Sequence, residues 1–543
     1  MKSLFVALLL AMTLGAQAAP VTTAEGPVEG VSKNGVARFL GIPYAKPPVG
    51  SLRWMPPQPV AKWTASRKAD KFGPTCAQVT TLGPFAGPPN SNEDCLYLNV
   101  FTSDVKAKLP VLVWIHGGGY FDGASNDYDA AKLVTRGKLV VVTFNYRLNL
   151  FGFMAHPAID AEGHAFGNYG IMDMQAALQW VKRNAAAFGG DPNNVTVGGQ
   201  SAGAGASSAL VVSPASKGLI HRAIYQSGGY TPFATRLTAE ERGKKFAAAA
   251  GCTSGDVAKC LRALPAAKIA ALAGTASATS PLVNGPMLDG TILPHQLIDA
   301  FQSGRFNQVP MMMGTTADEG NFNAGITQYF KPGRAPLDEA DWRGYLNRTY
   351  GGNAGPGGGL PAYPKGTVDK IFTNYPYPPM NWNPATRPDF NPDQLVWDRA
   401  HSDAQACRGL YTAPAIAGHA PLYVYLFNDR TAQTYFPKMP GFQPLAYHTS
   451  DIPYVFTGYH GGPEGAPITL TPAQAKLSDR LVDAWANFAR TGNPNGKGDT
   501  PWPRWKKDGA AYLVQDAGWA TQTNAEFAAA HNCGFWNKIL LYK

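Results

Sequence analysis

The stretch VTVGGQSAGAGAS (residues 195–207) decides the fold, because it places one hydroxyl group among glycines and alanines after an apolar run. Its first four residues are predicted as a buried strand and residues 202–211 as a helix, so Ser201 falls at the turn between them. Gly199 and Gly203 leave room for a sharp turn in which the serine alone projects. A G-x-S-x-G string also arises by chance in a glycine-rich chain, so its meaning depends on the remaining sequence.

Other short runs are apolar without alternation, which is typical of strands buried on both faces of a sheet. Between them lie segments with helical periodicity, of which residues 173–188 and 473–490 are the clearest. Strands that alternate with helices favour a mostly parallel α/β sheet, and the absence of a long polar linker favours one large domain with insertions. The predicted strands are residues 111–116, 139–146, 195–199, 223–227, 309–314 and 422–427.

The N-terminus is typical of a secretory signal peptide. Lys2 supplies the positive charge, residues 4–14 form an apolar run, and the small-residue triplet AQA ends at Ala18. We predict cleavage after Ala18, with residues 1–18 as the signal and residues 19–543 as the mature domain, exported to the periplasm or secreted. No apolar run reaches the roughly 18 residues that a membrane span needs, so no span is predicted.

An even number of cysteines fits an exported chain and indicates disulfide bonds. None of the six lies in a C-x-x-C pair, which argues against zinc ribbons and thioredoxin-like redox motifs. Six cysteines allow many pairings. Their order along the chain suggests two short loops and one long closure, namely Cys76–Cys95, Cys252–Cys260 and Cys407–Cys533.

The charge pattern does not indicate a nucleic-acid partner. Lysine and arginine number 47 against 37 acidic residues, but the basic residues are scattered and never exceed two in a row. A nucleic-acid binder would concentrate them on one stripe. The chain also lacks a phosphate loop, a dinucleotide fingerprint and an H-E-x-x-H motif, so no cofactor and no metal are predicted. The sequence offers no basis for assigning an oligomeric state.

A nucleophilic serine requires a base that takes its proton and an acid that orients the base. In α/β-hydrolases these follow the serine in the order acid, then histidine. Asp318 and Glu319 directly follow a predicted strand and are the candidate acids. His448 lies in a loop about twenty residues after the strand at 422–427 and is the favoured base. The other histidines after the candidate acids are His401, His419, His460 and His531.

Backbone donors for a developing oxyanion are expected in HGGG (residues 116–119), which follows a buried strand. Three successive glycines cost conformational entropy, so a need for close approach to a ligand is the stronger explanation. Gly118 and Gly119 are the predicted donors, and Ala202 at the helix start is the third. His116 precedes the serine and is expected to brace this loop.

Taken together, the motifs resemble the type-B carboxylesterases, which include the cholinesterases, over about residues 26–512. The resemblance implies an α/β-hydrolase fold and a serine esterase acting on small-molecule carboxylic esters. It implies a triad of Ser201, Glu319 and His448 and an oxyanion hole of Gly118, Gly119 and Ala202. Ser227 matches a serine behind the triad, and the cysteine pairing above matches the family's. The motifs are FLGIPYAKPPVGSLRW, EDCLYLNV, HGGGYFDG, FGGDPNNVTVGGQSAGA, AIYQSG, DEGNF and YHTSDIPYVF.

The sequence departs from that family at two positions. Gln200 replaces the glutamate that usually precedes the nucleophile, and Phe85 stands where cholinesterases carry a tryptophan in their choline site. Both changes remove features that favour a cation, so we expect neutral or anionic esters to be preferred. A lipase-like hydrolase is the alternative, although residues 77–94 are rich in proline and glycine and lack an amphipathic lid pattern. A non-enzymatic binding member of the fold would lack the nucleophile and is disfavoured.

Overall fold

The computed structural model describes residues 16–79, 81–85, 89–274, 285–351, 363–376, 391–463, 465–497 and 501–540. Within these residues, one large sheet carries twelve strands in the spatial order β1-β4-β5-β7-β9-β8-β10-β11-β12-β13-β14-β15. Chain order gives β1 Ala16–Gln17, β2 Val21–Thr22, β3 Pro27–Glu29, β4 Val31–Lys33, β5 Val36–Pro43, β6 Arg67–Lys68, β7 Tyr97–Thr102, β8 Leu109–Ile115, β9 Val140–Phe144, β10 Gly190–Gln200, β11 Arg222–Gln226, β12 Met311–Thr316, β13 Leu422–Phe427, β14 Ala510–Gln515 and β15 Thr521–Thr523.

The strands from β9 to β14 in spatial order are mutually parallel, and the strands at both edges are antiparallel. The remaining strands β2, β3 and β6 form a small second sheet. Every residue of β9, β12 and β13 is buried, as expected for a sheet covered on both faces. The predicted mostly parallel α/β-hydrolase sheet is confirmed.

Helices cover the large sheet. Their bounds are α1 Ala131–Thr135, α2 Asn149–Phe153, α3 Pro157–Asp160, α4 Tyr169–Asn184, α5 Ala202–Val212, α6 Arg236–Ala250, α7 Val257–Ala263, α8 Ala266–Gly274, α9 Leu297–Gln302, α10 Gly320–Phe330, α11 Glu339–Tyr350, α12 Thr367–Asn374, α13 Pro392–Ala417, α14 Ile452–Val455, α15 Pro472–Thr491, α16 Asn524–Ala530 and α17 Cys533–Ile539. In the described part of the chain, no helix is long and apolar enough to cross a bilayer.

The predicted elements agree with the structure in type and differ at their ends. β13 has the predicted bounds, whereas α4 begins four residues before the predicted start at residue 173. β10 begins at Gly190 rather than residue 195, because Gly190 pairs with Leu109 across an irregularity in the register with β8. Such a start depends on the neighbouring strand and is not encoded in local periodicity.

Three disulfide bonds join Cys76 to Cys95, Cys252 to Cys260, and Cys407 to Cys533. These are the pairs predicted from cysteine order, and no cysteine is left unpaired. The Cys407–Cys533 bond ties α13 to the start of α17 over a sequence separation of 126 residues. Of the predicted signal segment, residues 1–18, the first 15 lie outside the described residues.

Candidate active site

Ser201 occupies a sharp turn between β10 and α5. Its backbone has φ +59° and ψ −123°, a strained conformation for a residue with a side chain. The turn is fixed by two backbone hydrogen bonds: the Ser201 N–H donates to Gln226 O at 2.8 Å, and the Gly205 N–H donates to Ser201 O at 3.0 Å. The turn leaves the Ser201 side chain partly exposed at the carboxyl end of the central strands.

The glycines beside Ser201 are required by close backbone contacts. A Cβ atom at Gly203 would lie 2.0 Å from Ile115 O, and one at Gly199 would lie 2.4 Å from the Gly203 carbonyl carbon. Distances this short exclude any side chain. The G-x-S-x-G pattern is therefore a packing requirement of the junction between β8, β10 and α5.

The glycine loop after β8 contacts the same turn. A Cβ at Gly117 would lie 3.3 Å from Ser201 Cβ, which brings the loop against the elbow. Gly118 and Gly119 adopt φ values of +103° and +61°, which favour glycine. Within the described residues, the N–H groups of Gly118, Gly119 and Ala202 donate to no protein acceptor. Three backbone donors beside one hydroxyl group are the arrangement that an oxyanion hole needs.

His116 supports this glycine loop. Its Nδ1 lies 2.9 Å from Gly117 O, and its ring stacks on Tyr146 with centroids 4.5 Å apart. Burial lowers the pKa of His116 to about 4, against the opposing effect of the Gly117 carbonyl. The imidazole is therefore neutral at pH 7 and acts as a fixed packing and hydrogen-bonding group.

Glu319 and His448 are in direct contact. Glu319 is fully buried at the end of the turn after β12, where one carboxylate oxygen contacts His448 Nδ1. The other oxygen accepts from the Thr315 hydroxyl and, at 2.9 Å, from the Thr316 N–H. Burial alone would raise the pKa of Glu319, but His448 together with the Thr315 and Ser227 hydroxyls lowers it to about 2. An ionised carboxylate therefore faces the imidazole at neutral pH.

Asp318 does not contact His448 and instead fastens the loop that carries it. Its Oδ2 accepts from Arg430 Nε at 3.0 Å and from the Ala446 N–H at 3.2 Å. The Asp318 N–H also donates to Ala446 O at 3.0 Å. Position after the strand left both carboxylates as candidates for the acid, and the family resemblance favoured Glu319. The geometry assigns them separate tasks, with Glu319 on the imidazole and Asp318 on the backbone two residues before it.

The other ring nitrogen of His448, Nε2, lies against the end of β10. Gln200 Nε2 lies 3.1 Å from His448 Nε2, and the Gln200 side chain is fully buried. No hydrogen bond joins the Ser201 hydroxyl to His448 among the described residues. The structure thus brings Ser201, Gln200, Glu319 and His448 to one place, with the glutamine amide rather than the serine hydroxyl in contact with Nε2.

Phe85 is buried in a cluster of aromatic side chains. The residue is 3% exposed, and its ring centroid lies 5.6 Å from that of Phe322 and 6.4 Å from that of Tyr435. Phe322, from α10, in turn contacts the His448 ring at 5.3 Å. Phe322 therefore contacts both the Phe85 ring and the imidazole. Phe322 was not among the residues predicted from the sequence, although it lies only three residues after Glu319.

Ser227, Gln226 and Asp451 are further buried polar residues around Glu319 and His448. Ser227 has φ +52° directly after β11, and its buried hydroxyl group helps to lower the pKa of the Glu319 carboxyl. Gln226 Nε2 donates to Asp451 Oδ2 at 2.9 Å. Burial, followed by repulsion from Glu319, raises the pKa of Asp451 to about 7. Gln226 and Asp451 were missed, although Gln226 lies in a predicted strand and Asp451 follows His448 by three residues.

Comparison with known proteins identifies the class to which this fold and site belong. The chain matches the carboxylesterase family over residues 17–536. It is 33% identical to the para-nitrobenzyl esterase of Bacillus subtilis (strain 168), covering 92% of this chain and 94% of that protein. It is 34% identical to the fumonisin B1 esterase of Sphingopyxis macrogoltabida, covering 91% of this chain and 88% of that protein.

A solved carboxylesterase of Geobacillus stearothermophilus superimposes on this chain with a TM-score of 0.74 at 31% identity. The superposition covers 94% of this chain and 99% of that structure. The chain belongs to the carboxylesterase family. The family predicted from the sequence motifs is confirmed, and so is the enzyme class, carboxylic ester hydrolase.

Proposed function

We propose that the protein is a serine carboxylesterase that hydrolyses small-molecule carboxylic esters through an acyl-enzyme on Ser201. The observation that carries this proposal is the arrangement around His448. Its Nδ1 contacts the buried Glu319 carboxylate, while its Nε2 faces the end of the strand that leads into the Ser201 turn. A base held in this way has its proton on Nδ1 and a lone pair on the side of the nucleophile.

The reaction follows in two steps. The Ser201 hydroxyl oxygen attacks the ester carbonyl carbon while its proton passes to His448 Nε2, and Glu319 stabilises the resulting imidazolium. The negative charge on the carbonyl oxygen is bound by the N–H groups of Gly118, Gly119 and Ala202. The tetrahedral intermediate expels the alcohol, which takes the proton from His448. Water then attacks the acyl-enzyme by the same sequence, releasing the acid and Ser201.

The serine mechanism is tested with Ser201→Ala on a chromogenic short-chain ester. We expect kcat to fall by at least about 10³-fold with an unchanged circular dichroism spectrum. A fluorophosphonate probe should label the wild type at Ser201 and leave the variant unlabelled. Near-wild-type turnover by Ser201→Ala would contradict the mechanism.

We further propose that neutral or anionic esters are preferred over choline esters of equal acyl length. Gln200 places no charge beside His448, Phe85 is buried against Phe322 and Tyr435, and the chain carries a formal charge of +10. A quaternary ammonium group would gain neither a nearby carboxylate nor a tryptophan face at these two positions, and the basic surplus adds a salt-screened repulsion.

The comparison uses kcat/KM for acetylcholine and for 3,3-dimethylbutyl acetate, its uncharged analogue, at low and high salt. We expect the uncharged ester to be the better substrate, with the difference smaller at high salt. A preference for acetylcholine of about tenfold or more, equal to about 1.4 kcal/mol of transition-state binding, would contradict the charge proposal. The serine mechanism would be unaffected by that result.

A further inference from the structure

Gln200 occupies the place that the catalytic hydroxyl group needs. Its Nε2 lies 3.1 Å from His448 Nε2, while Nδ1 of the same ring contacts Glu319. Because the Glu319 carboxylate is ionised, the single proton of the neutral imidazole belongs on Nδ1, and Nε2 carries the lone pair. The Gln200 amide N–H is then the donor and His448 Nε2 the acceptor. The reverse orientation of the amide would set two acceptors against each other.

The other end of the same amide has no partner. Gln200 Oε1 is buried and makes no hydrogen bond within the described part of the chain. It points toward the oxyanion loop, since a Cβ at Gly117 would lie 3.2 Å from it. A half-turn of the amide therefore sacrifices no bond at Oε1 and would present that oxygen to His448. Buried acceptors without partners are uncommon and call for a physical reason.

We propose that Gln200 is a positioning residue that donates a hydrogen bond to the neutral imidazole of His448 and accepts one from the imidazolium. The inference rests on the serine mechanism proposed above. No proton is transferred to Gln200: the proton moves from Ser201 Oγ to His448 Nε2 and on to the leaving alcohol. The amide only reorients, and so keeps the ring in place before the substrate arrives and while the alcohol departs. A carboxylate could accept a hydrogen bond from the imidazolium but could donate none to the neutral ring. An apolar side chain could do neither.

The inference is tested through the pH profile, so the charged neighbours of His448 matter. Among the described residues these are Glu319 after β12, Asp451 on the same loop and His401 on α13. The pKa of Glu319 is about 2, and burial lowers the pKa of His401 to about 4, so neither titrates near neutrality. Burial raises the pKa of Asp451 to about 7, so the profiles are also measured in an Asp451→Asn background.

The experiment compares kcat, KM and the acid-side midpoint of kcat/KM for wild type, Q200E and Q200M on a neutral p-nitrophenyl ester. In Q200E the carboxylate stabilises the imidazolium, so forming the neutral base requires a higher pH. We expect the midpoint to rise by about 1 pH unit or more. In Q200M both hydrogen bonds are lost, and we expect kcat to fall about 5- to 10-fold with KM within about twofold. Its midpoint should move by less than about 0.5 unit.

The matched control is Q175E, the same change at a buried glutamine of α4 that donates to Ser213 at 2.9 Å. Its midpoint should stay at the wild-type value. For a variant with low turnover, the pH dependence of fluorophosphonate labelling gives the same midpoint. An unshifted midpoint in Q200E, or wild-type kcat in Q200M, would overturn the role of Gln200. Loss of labelling in the wild type would instead contradict the serine mechanism itself.

Discussion

At the scale of single residues, Glu319 and Asp318 are adjacent carboxylates with different partners. Glu319→Gln should lower kcat by about 10³- to 10⁴-fold, because an amide cannot stabilise the imidazolium and favours the wrong tautomer. Asp318→Asn should change kcat/KM by less than about tenfold, since it weakens only the contacts to Arg430, whose side chain is 53% exposed, and to the Ala446 amide. Steady-state kinetics on one neutral ester measure both.

The reverse ranking of these two variants would move the acid by one residue and contradict the contact between Glu319 and His448. Asp318→Asn thus serves as the control for Glu319→Gln, because it removes a buried charge at the neighbouring position without touching the imidazole.

The sequence could predict which strand ends carry the candidate residues, because parallel strands bring their carboxyl ends to one edge of the sheet. It could not predict which side chain faces which. Gln200 and His448 are 248 positions apart, and their contact depends on the loop that Asp318 fastens. Phe85 was identified by counting from Cys95. Its contact with Phe322 depends on where α10 packs, which the local sequence pattern does not predict.

At the scale of elements, the turn between β10 and α5 depends on glycine as a spacer. Gly203→Ala should lower the apparent melting temperature by about 5 °C or more, because its Cβ would lie 2.0 Å from Ile115 O at the end of β8. It should also reduce kcat, since relief of that clash displaces Ser201. Thermal unfolding and ester hydrolysis measure the two effects.

Gly534→Ala is the matched control for this prediction. Gly534 lies within α17, and an added Cβ there would meet no atom within 4 Å. Removing a helical glycine should leave stability unchanged or raise it by about 0.5–1 kcal/mol. Equal melting temperatures for the two variants would refute the packing argument at the elbow.

Whether a segment forms a strand or a helix could be predicted from the sequence, because strands buried on both faces appear as continuous apolar runs. The residues at which these elements begin and end could not be predicted. The whole of β13 is one continuous apolar run, and the strand has its predicted bounds. β10 is extended by pairing with β8 before its apolar run begins, and α4 extends toward its N-terminus through Tyr169, which is fully buried. These extensions are stabilised by tertiary contacts rather than by local propensity.

At the scale of the whole molecule, the disulfides should stabilise the fold unequally. The Cys407–Cys533 bond closes a separation of 126 residues and the Cys252–Cys260 bond one of 8. Chain entropy predicts contributions of about 5 and about 2.5 kcal/mol. We expect the double variant C407S/C533S to unfold at a lower temperature than C252S/C260S under identical non-reducing conditions. The opposite order would show that loop length does not govern their stabilisation.

Export makes a separate prediction for the N-terminus. Signal cleavage after Ala18 would give a mature chain beginning at Ala19, which intact-mass analysis of the exported protein should detect. That cleavage removes β1, whose two residues pair with β4, and leaves β4 as the edge strand. A mass that includes residues 1–18 would contradict the signal-peptide prediction.

The Cys407–Cys533 bond has a mechanical consequence. It encloses β13, the His448 loop and α15 in a covalent loop, while Ser201 and Glu319 lie outside it. Tension applied between the two chain ends would pass through the sulfur atoms and bypass that loop. The contour of the stretched wild type should therefore be shorter by roughly 440 Å than that of the C407S/C533S variant, at about 3.5 Å for each residue of the closed loop. Under load, His448 would stay within the closed loop while Ser201 and Glu319 are pulled away from it.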